Sequence, residues 1–265
     1  LQMPFGCFEQ TSSVTYPNVL VLDYMKSTQQ ITPEIQMKAE EYINLGYQRL
    51  VSFEVQGGGF SWFGDAPANK VLTAYGVLEF HDMARVYEID ENVITRTQEW
   101  LVGQQEGDGS WTPDQAYLHE EAWGRIQNSK ILPTAYLTWA LAESGFQGPQ
   151  LDKAVGYISE HMGEAEEAYT VAIIGNALVA VDKKSEMTGK ALEKLVKMAV
   201  EEEGTVHWPA GVSTVTHSSG RGADIETTAL AAYALIQSGR YADVVSKALT
   251  YLIQQKDPSG TWHST

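Results

Sequence analysis

The chain has 265 residues, 43% of them hydrophobic, and its 34 acidic against 18 basic side chains leave a formal net charge of -16. That surplus, with no Lys/Arg cluster against it, excludes nucleic acid and anionic membrane surfaces as natural partners, since both need a basic face. The longest nearly apolar run, Ala172 to Val181, contains Asn176 and falls far short of the roughly 20 residues that span a bilayer, so no membrane span is expected.

The length suits one core, and a single domain over residues 1–265 is the economical reading. Leu1-Gln2-Met3-Pro4 opens without a signal-like core, and Trp262-His263-Ser264-Thr265 is no natural ending. The chain therefore reads as an excised piece of a larger multidomain protein.

The first element contains the only cysteine, in Pro4-Phe5-Gly6-Cys7-Phe8-Glu9-Gln10-Thr11. Residues three apart on a helix face one another, so a Cys7 thiolate at a helix start can reach the Gln10 carboxamide carbon, expel ammonia and close an internal thioester. Helix N-termini favour the thiolate. Gly6 permits a sharp turn ahead of the helix, and Pro17 is expected to end it. On spacing alone, a lone cysteine beside apolar residues reads equally as a small buried hydrophobe.

Pro33 to Val51 forms the next helical pattern, with Thr32 as cap and Pro33 at the first position. Gly57-Gly58-Gly59-Phe60-Ser61-Trp62 then begins a series of glycine turns ending in tryptophan. The others are Gly107-Asp108-Gly109-Ser110-Trp111, Gly204-Thr205-Val206-His207-Trp208 and Ser259-Gly260-Thr261-Trp262. Trp62 and Trp111 are 49 positions apart, and Trp208 and Trp262 are 54 apart, a period that marks repeat architecture. The tryptophans read as packing pegs between helix pairs.

Amphipathic helices precede these turns, as in Asp90 to Gln105 with Asp90 as cap. More apolar helices follow them, beginning Thr73-Ala74-Tyr75, Thr134-Ala135-Tyr136, Tyr169-Thr170-Val171 and Thr227-Thr228-Ala229. Alternation of outer, striped helices with inner, nearly all-apolar ones predicts an all-α fold, an α/α toroid. If six pairs close the ring, the last inner helix is missing from this piece. No sustained strand alternation is present, and Glu201-Glu202-Glu203 reads as a solvated helix end. Asp224-Ile225-Glu226-Thr227-Thr228 is only faintly similar to the acidic motif of terpene cyclases and lacks their clustered aspartates. No two histidines make an i, i+4 metal pair with a carboxylate, so no metal and no other cofactor is expected.

Met3 to Gln10 resembles the thioester signature of the alpha-2-macroglobulin and complement family. Asn18-Val19-Leu20-Val21-Leu22-Asp23-Tyr24-Met25, Thr28 to Ile35 and Gly46-Tyr47-Gln48-Arg49 resemble the helices after it, and the similarity continues through the glycine–tryptophan turns. The resemblance implies that Cys7 and Gln10 are the thioester pair, with Gly6, Phe8 and Glu9 flanking it. The family often has Gly where this chain has Phe8, a departure expected of bacterial members, and Phe8 is expected to shield the bond from water.

Tyr117-Leu118-His119-Glu120-Glu121-Ala122-Trp123-Gly124 resembles the segment in which complement-type domains carry a catalytic histidine. That makes His119 the implied nucleophile toward the Gln10 acyl carbon, with Glu121 beside it. A histidine beside two glutamates is otherwise a common surface group. The resemblance further implies a bacterial, extracytoplasmic protease trap, whose parent is periplasmic, membrane-tethered or secreted. Its partners would be the target protease, or a surface nucleophile bearing an amine or hydroxyl, and neighbouring domains of the parent. Such a domain acts once, by acylation, and is not an enzyme with turnover. A complement-like opsonin keeps the chemistry with a different purpose, while a terpene cyclase or polysaccharide-processing hydrolase on the same toroid would need paired carboxylates.

Overall fold

A computed structural model describes residues 3–114, 129–216, 218–258, 260 and 262. Among these residues there are ten α-helices, one short 3-10 turn and one two-stranded hairpin. The chain divides into two compact units, one of residues 1–105 with 144–146, the other of residues 106–143 with 147–265.

The first unit holds α1 (Phe8–Ser27), α2 (Pro33–Val51), α3 (Lys70–Ala84) and α4 (Asn92–Gly103). In α2, the Thr32 hydroxyl accepts from the Ile35 amide at 3.4 Å and Pro33 occupies the first position, where its missing N–H costs nothing. α2 buries Ala39, Ile43, Gly46 and Leu50, and α4 buries Val93, Thr97 and Leu101, each a single stripe at helical spacing. α3 is buried on most sides, including Val77, Phe80 and Met83. The expected alternation is therefore present here.

Two local expectations are corrected in this unit. Pro17 does not end the first helix, which runs 20 residues through it. Pro17 and Ser13, whose carbonyl loses its donor, both face solvent, while Phe8, Thr15, Val19 and Leu22 are buried on either side. Docking on both flanks outweighs the roughly 3 kcal/mol cost of an interior proline. The second correction concerns α4, which starts at Asn92 and not at Asp90. The Asp90 carboxylate instead accepts from the Asn92 amide two residues on, at 3.0 Å.

The second unit holds α5 (Ile131–Glu143), α6 (Pro149–His161), the 3-10 turn Met162–Glu164, α7 (Ala168–Asp182), α8 (Glu186–Lys197), α9 (Gly220–Ser238) and α10 (Ala242–Gln254). α5 and α7 are nearly all buried, whereas α6 and α8 bury one stripe each, Leu151, Ala154 and Ile158 in the one and Thr188, Ala191, Leu192 and Leu195 in the other. The all-α expectation holds, with the alternation that an α/α toroid requires. No described helix is long and apolar enough to cross a membrane.

Between α8 and α9, β1 (Val200–Glu202) pairs antiparallel with β2 (Thr205–His207). Glu201-Glu202-Glu203 is thus a hairpin arm and its turn, not a helix end. Glu203 and Gly204 have φ of 49° and 77°, the two left-handed residues of a type I′ connection, which tightens the strands into their natural twist. Three glutamates carry no helical period, and the turn chemistry decides.

The glycine turns and the Thr-Ala-Tyr helix starts prove to be one device. The amides of Phe60, Trp111 and Trp208 donate to the hydroxyls of Thr73, Thr134 and Thr228 at 2.8, 3.0 and 3.0 Å. Each threonine receives the backbone of the preceding turn, Thr73 and Thr134 from the first turn of α3 and α5, Thr228 from the middle of α9, which begins at Gly220 and not at Thr227. Phe60, Trp111 and Trp208 are fully buried there, so Phe60, and not Trp62, is the peg of the first turn. Thr228→Val should leave the buried Trp208 amide without an acceptor and cost about 1–3 kcal/mol of unfolding free energy, while Thr228→Ser retains most of it. Urea midpoints of the two variants measure the difference.

Candidate thioester site

The site is assembled at the head of α1. Gly6 has a φ of 80°, and a Cβ built on it would lie 2.0 Å from the Gln10 Oε1 and 2.8 Å from its Cδ. The backbone therefore turns back under the glutamine side chain, a path open only to glycine. Cys7 follows in extended conformation as the N-cap. Its amide donates to Gln10 Oε1 at 3.1 Å, and its side chain faces the Gln10 amide in return. This reciprocal pairing is a capping box in which sulfur replaces the usual hydroxyl. One consequence is chemical: the carboxamide of Gln10 is folded onto the residue that carries the thiol.

The turn is held from three sides. Arg49, from α2, donates to the Gly6 carbonyl through Nε at 2.8 Å and through Nη2, and its guanidinium lies 5.5 Å from the centre of the Phe53 ring. The Thr11 hydroxyl donates to the Phe5 carbonyl at 3.1 Å. The Phe8 amide donates to the Trp62 carbonyl at 2.9 Å, and the Trp62 indole donates to Glu9 at 3.3 Å. Trp62 is thus a neighbour of the site, and this is why Phe60 takes over as the packing peg.

Phe8 is part of the core. Its side chain is fully buried, against Phe53 and Phe60 with ring centres 6.3 and 5.3 Å away, and over Gly76 of α3, where a Cβ would meet its Cζ at 2.8 Å. An aromatic ring placed there anchors the helix in the core. Gln10 itself is exposed and Cys7 half-buried, with Met3 and Phe5 before the turn 60% and 52% exposed.

His119 and Glu121 lie outside the described residues. Arg49 received no role from the sequence, and Trp62 only that of a packing peg. Arg49 sits in a segment whose family likeness is evident, but its bond is to a backbone carbonyl 43 residues away, which no local pattern reveals. The acidic pair on α9 has structural partners: Asp224 accepts from the Ala210 amide at 2.8 Å, and Glu226 from the hydroxyls of Thr214 and Thr216 at 2.7 and 2.6 Å.

Comparison with known proteins places the chain in a family. Ovostatin of Gallus gallus is 30% identical over 278 aligned residues, covering 100% of this chain and 19% of ovostatin. The chain thus spans about a fifth of that relative's length. The family model described as the A-macroglobulin TED domain matches residues 1–265, and by that unbroken match the chain belongs to the A-macroglobulin TED domain family.

Proposed function

We propose that Cys7 and Gln10 form an internal thioester and that this domain, within a longer protease-trapping protein, acylates its target once. The observation that carries the reading is the Gln10 carboxamide, held 3.1 Å from the Cys7 amide by a turn at Gly6 that admits no side chain. The Cys7 thiolate attacks the Gln10 Cδ, the S–C bond forms, the C–N bond breaks, and ammonia leaves with the thiol proton. A target amine later attacks the same carbon, the S–C bond breaks, and the thiolate returns while the acyl group stays on the target. The acyl group is consumed, so there is no turnover.

In this reading a protease cuts a bait segment elsewhere in the parent, and neighbouring domains withdraw from the exposed Met3 and Phe5 beside the bond. His119 is the residue through which hydroxyl targets are accepted, by way of an acyl-imidazole with the freed thiolate as base. The parent works outside the cytoplasm in a bacterium. Residues 1–265 act as one functional domain, a reading supported by a family match that covers both compact units.

The test is intact mass and thiol titration of freshly prepared protein. Native protein is expected to be one ammonia lighter than its sequence, to lack a free thiol, and to gain one on treatment with methylamine, which is found on Gln10. Cys7→Ala should show the full sequence mass, gain no thiol and take up no methylamine on Gln10. A titratable Cys7 in fresh protein, with Gln10 still an unmodified amide, would overturn the reading.

A further inference from the structure

α1 buries an unusual face. Below Phe8, the residues turned inward are Thr11, Ser12, Thr15 and Asn18, where a docked helix ordinarily presents an apolar stripe. Opposite this seam, α3 presents Glu79, a fully buried carboxyl. Both of its oxygens, together with Ser12 Oγ and Thr15 Oγ1, are buried without a hydrogen-bond partner of normal geometry. A charge enclosed in that way, with no cation beside it, would carry a large desolvation penalty. The carboxyl is tolerated there as a neutral acid, whose proton can be shared with a hydroxyl across the seam.

We propose that Glu79 is a positioning residue for the Cys7–Gln10 segment: as a neutral acid facing Ser12 it holds the first turns of α1 against α3, and loss of its proton releases them. Ser12 lies two residues beyond Gln10, so the clamp acts immediately beneath the site. The inference deepens the thioester reading, on which its bearing on reactivity rests.

The surroundings agree. Burial pushes the Glu79 carboxyl up to about 8, Ser12 draws it partly back, and the charge of Asp82 adds to the rise. One turn along the same interface Tyr16 of α1 donates to Asp82 at 2.6 Å, with Tyr75 packed edge-on against Tyr16. Arg85 pairs with Asp82 and Asp23 at the surface. The arginines of α2 and α4 are engaged elsewhere, Arg49 with the Gly6 carbonyl and Arg96 with Glu54 and Asp90. Lys26 of α1 is likewise engaged, with the Val86 carbonyl and Glu40, and no cation is among the groups that act on the Glu79 carboxyl.

The sign follows from linkage. A carboxyl whose folded pKa lies above its unfolded value binds more protons in the folded state, so it favours folding most below the unfolded value and that contribution is lost as pH rises. The unfolding constant should therefore climb by up to about tenfold per pH unit between the ordinary glutamate range near 4.5 and about 8. Glu79→Gln, neutral at every pH, should lack this slope.

The experiment compares wild type and Glu79→Gln by amide hydrogen exchange, corrected for intrinsic rates, in peptides covering residues 8–16 from pH 6.5 to 9. Protection in wild type is expected to fall several-fold or more from pH 6.5 to about 8 and to level off above it, and to stay level in the variant. Identical profiles would overturn the clamp. If Glu79→Gln does not fold, carbon NMR titration of the glutamate carboxyls in wild type decides. One group titrating near 8 supports the proposal, and none titrating above about 6 overturns it.

A second arm measures the rate of methylamine incorporation at Gln10. The wild-type to variant ratio should rise several-fold between pH 7 and 9, and a constant ratio would sink the positioning role while leaving the thioester reading intact. No incorporation in either protein would count against the thioester reading, and the exchange arm would still decide Glu79.

Discussion

Gly6→Ala is expected to abolish methylamine labelling of Gln10 and to leave Cys7 as an ordinary titratable thiol. Two costs add at this position. A φ of 80° is left-handed, which disfavours any side chain by about 1–2 kcal/mol. More decisive is space, since the new Cβ would sit 2.0 Å from Gln10 Oε1 and 2.8 Å from both its Cβ and Cδ. No small shift relieves three contacts with one side chain, so Gln10 must swing away from Cys7. The electrophilic carbon then leaves the thiol's reach, and the reaction loses the proximity on which an intramolecular acylation depends.

The loss should be specific to chemistry. Gly6 precedes α1, and the docking of that helix through Phe8, Val19 and Leu22 does not involve it. A fall in unfolding free energy of about 1–2 kcal/mol is expected from the backbone term, far short of unfolding the unit. Intact mass and thiol titration, read beside a urea curve, separate the two effects. Wild-type labelling in a folded Gly6→Ala protein would show that the turn does not govern access of Cys7 to Gln10.

What could be read from the sequence was what local chemistry fixes. Thr32 and Pro33 mark the start of α2 because capping needs only neighbours, and Cys7 and Gln10 declare themselves because a three-residue spacing brings them together on any helix. The turn period and the Thr-Ala-Tyr starts were equally plain, but not the bond between them. A hydroxyl receiving an amide 13 to 23 residues earlier is a tertiary fact, and it alone shows that Phe60 keeps the register in place of Trp62. Pro17 misleads for a related reason, since its local penalty is outweighed by burial on both sides. Glu79 is hidden because a glutamate in a mostly apolar helix looks like one of its outward positions, beside Lys70, His81 and Asp82. Nothing short of the packed interface says that it points inward.

The same contrast between local signal and packed position sets the expected behaviour of Phe8. Beside Cys7 in sequence, it looks like part of the reactive segment, yet its ring is enclosed by Phe53, Phe60 and the bare backbone of Gly76. Phe8→Ala should therefore cost about 3–5 kcal/mol, the range for truncating a fully buried aromatic side chain, with the upper end reached if the rings around it cannot close the cavity. Phe8→Leu, which keeps most of the volume, should cost well under half as much.

Because the inward residues after Phe8 are Thr11, Ser12 and Thr15, no fully buried apolar side chain takes up the anchoring load until Val19, three turns on, with Tyr16 only partly buried between them. The one fully buried apolar ring at the head of α1 is thus that of Phe8, beside polar contacts such as its amide bond to Trp62 and that of Arg49 to Gly6. Removing the ring should loosen Cys7 and Gln10 more than the unit as a whole. Methylamine labelling of Phe8→Ala at a temperature where it remains folded should accordingly be slower, or absent because the bond never closes, whereas Phe8→Leu labels nearly as wild type. Urea midpoints give the stability change and mass spectrometry the labelling. A loss below about 1 kcal/mol in Phe8→Ala, far under the cost of removing a packed ring, would mean that Phe8 does not anchor the helix and that the polar seam beneath it carries α1 alone.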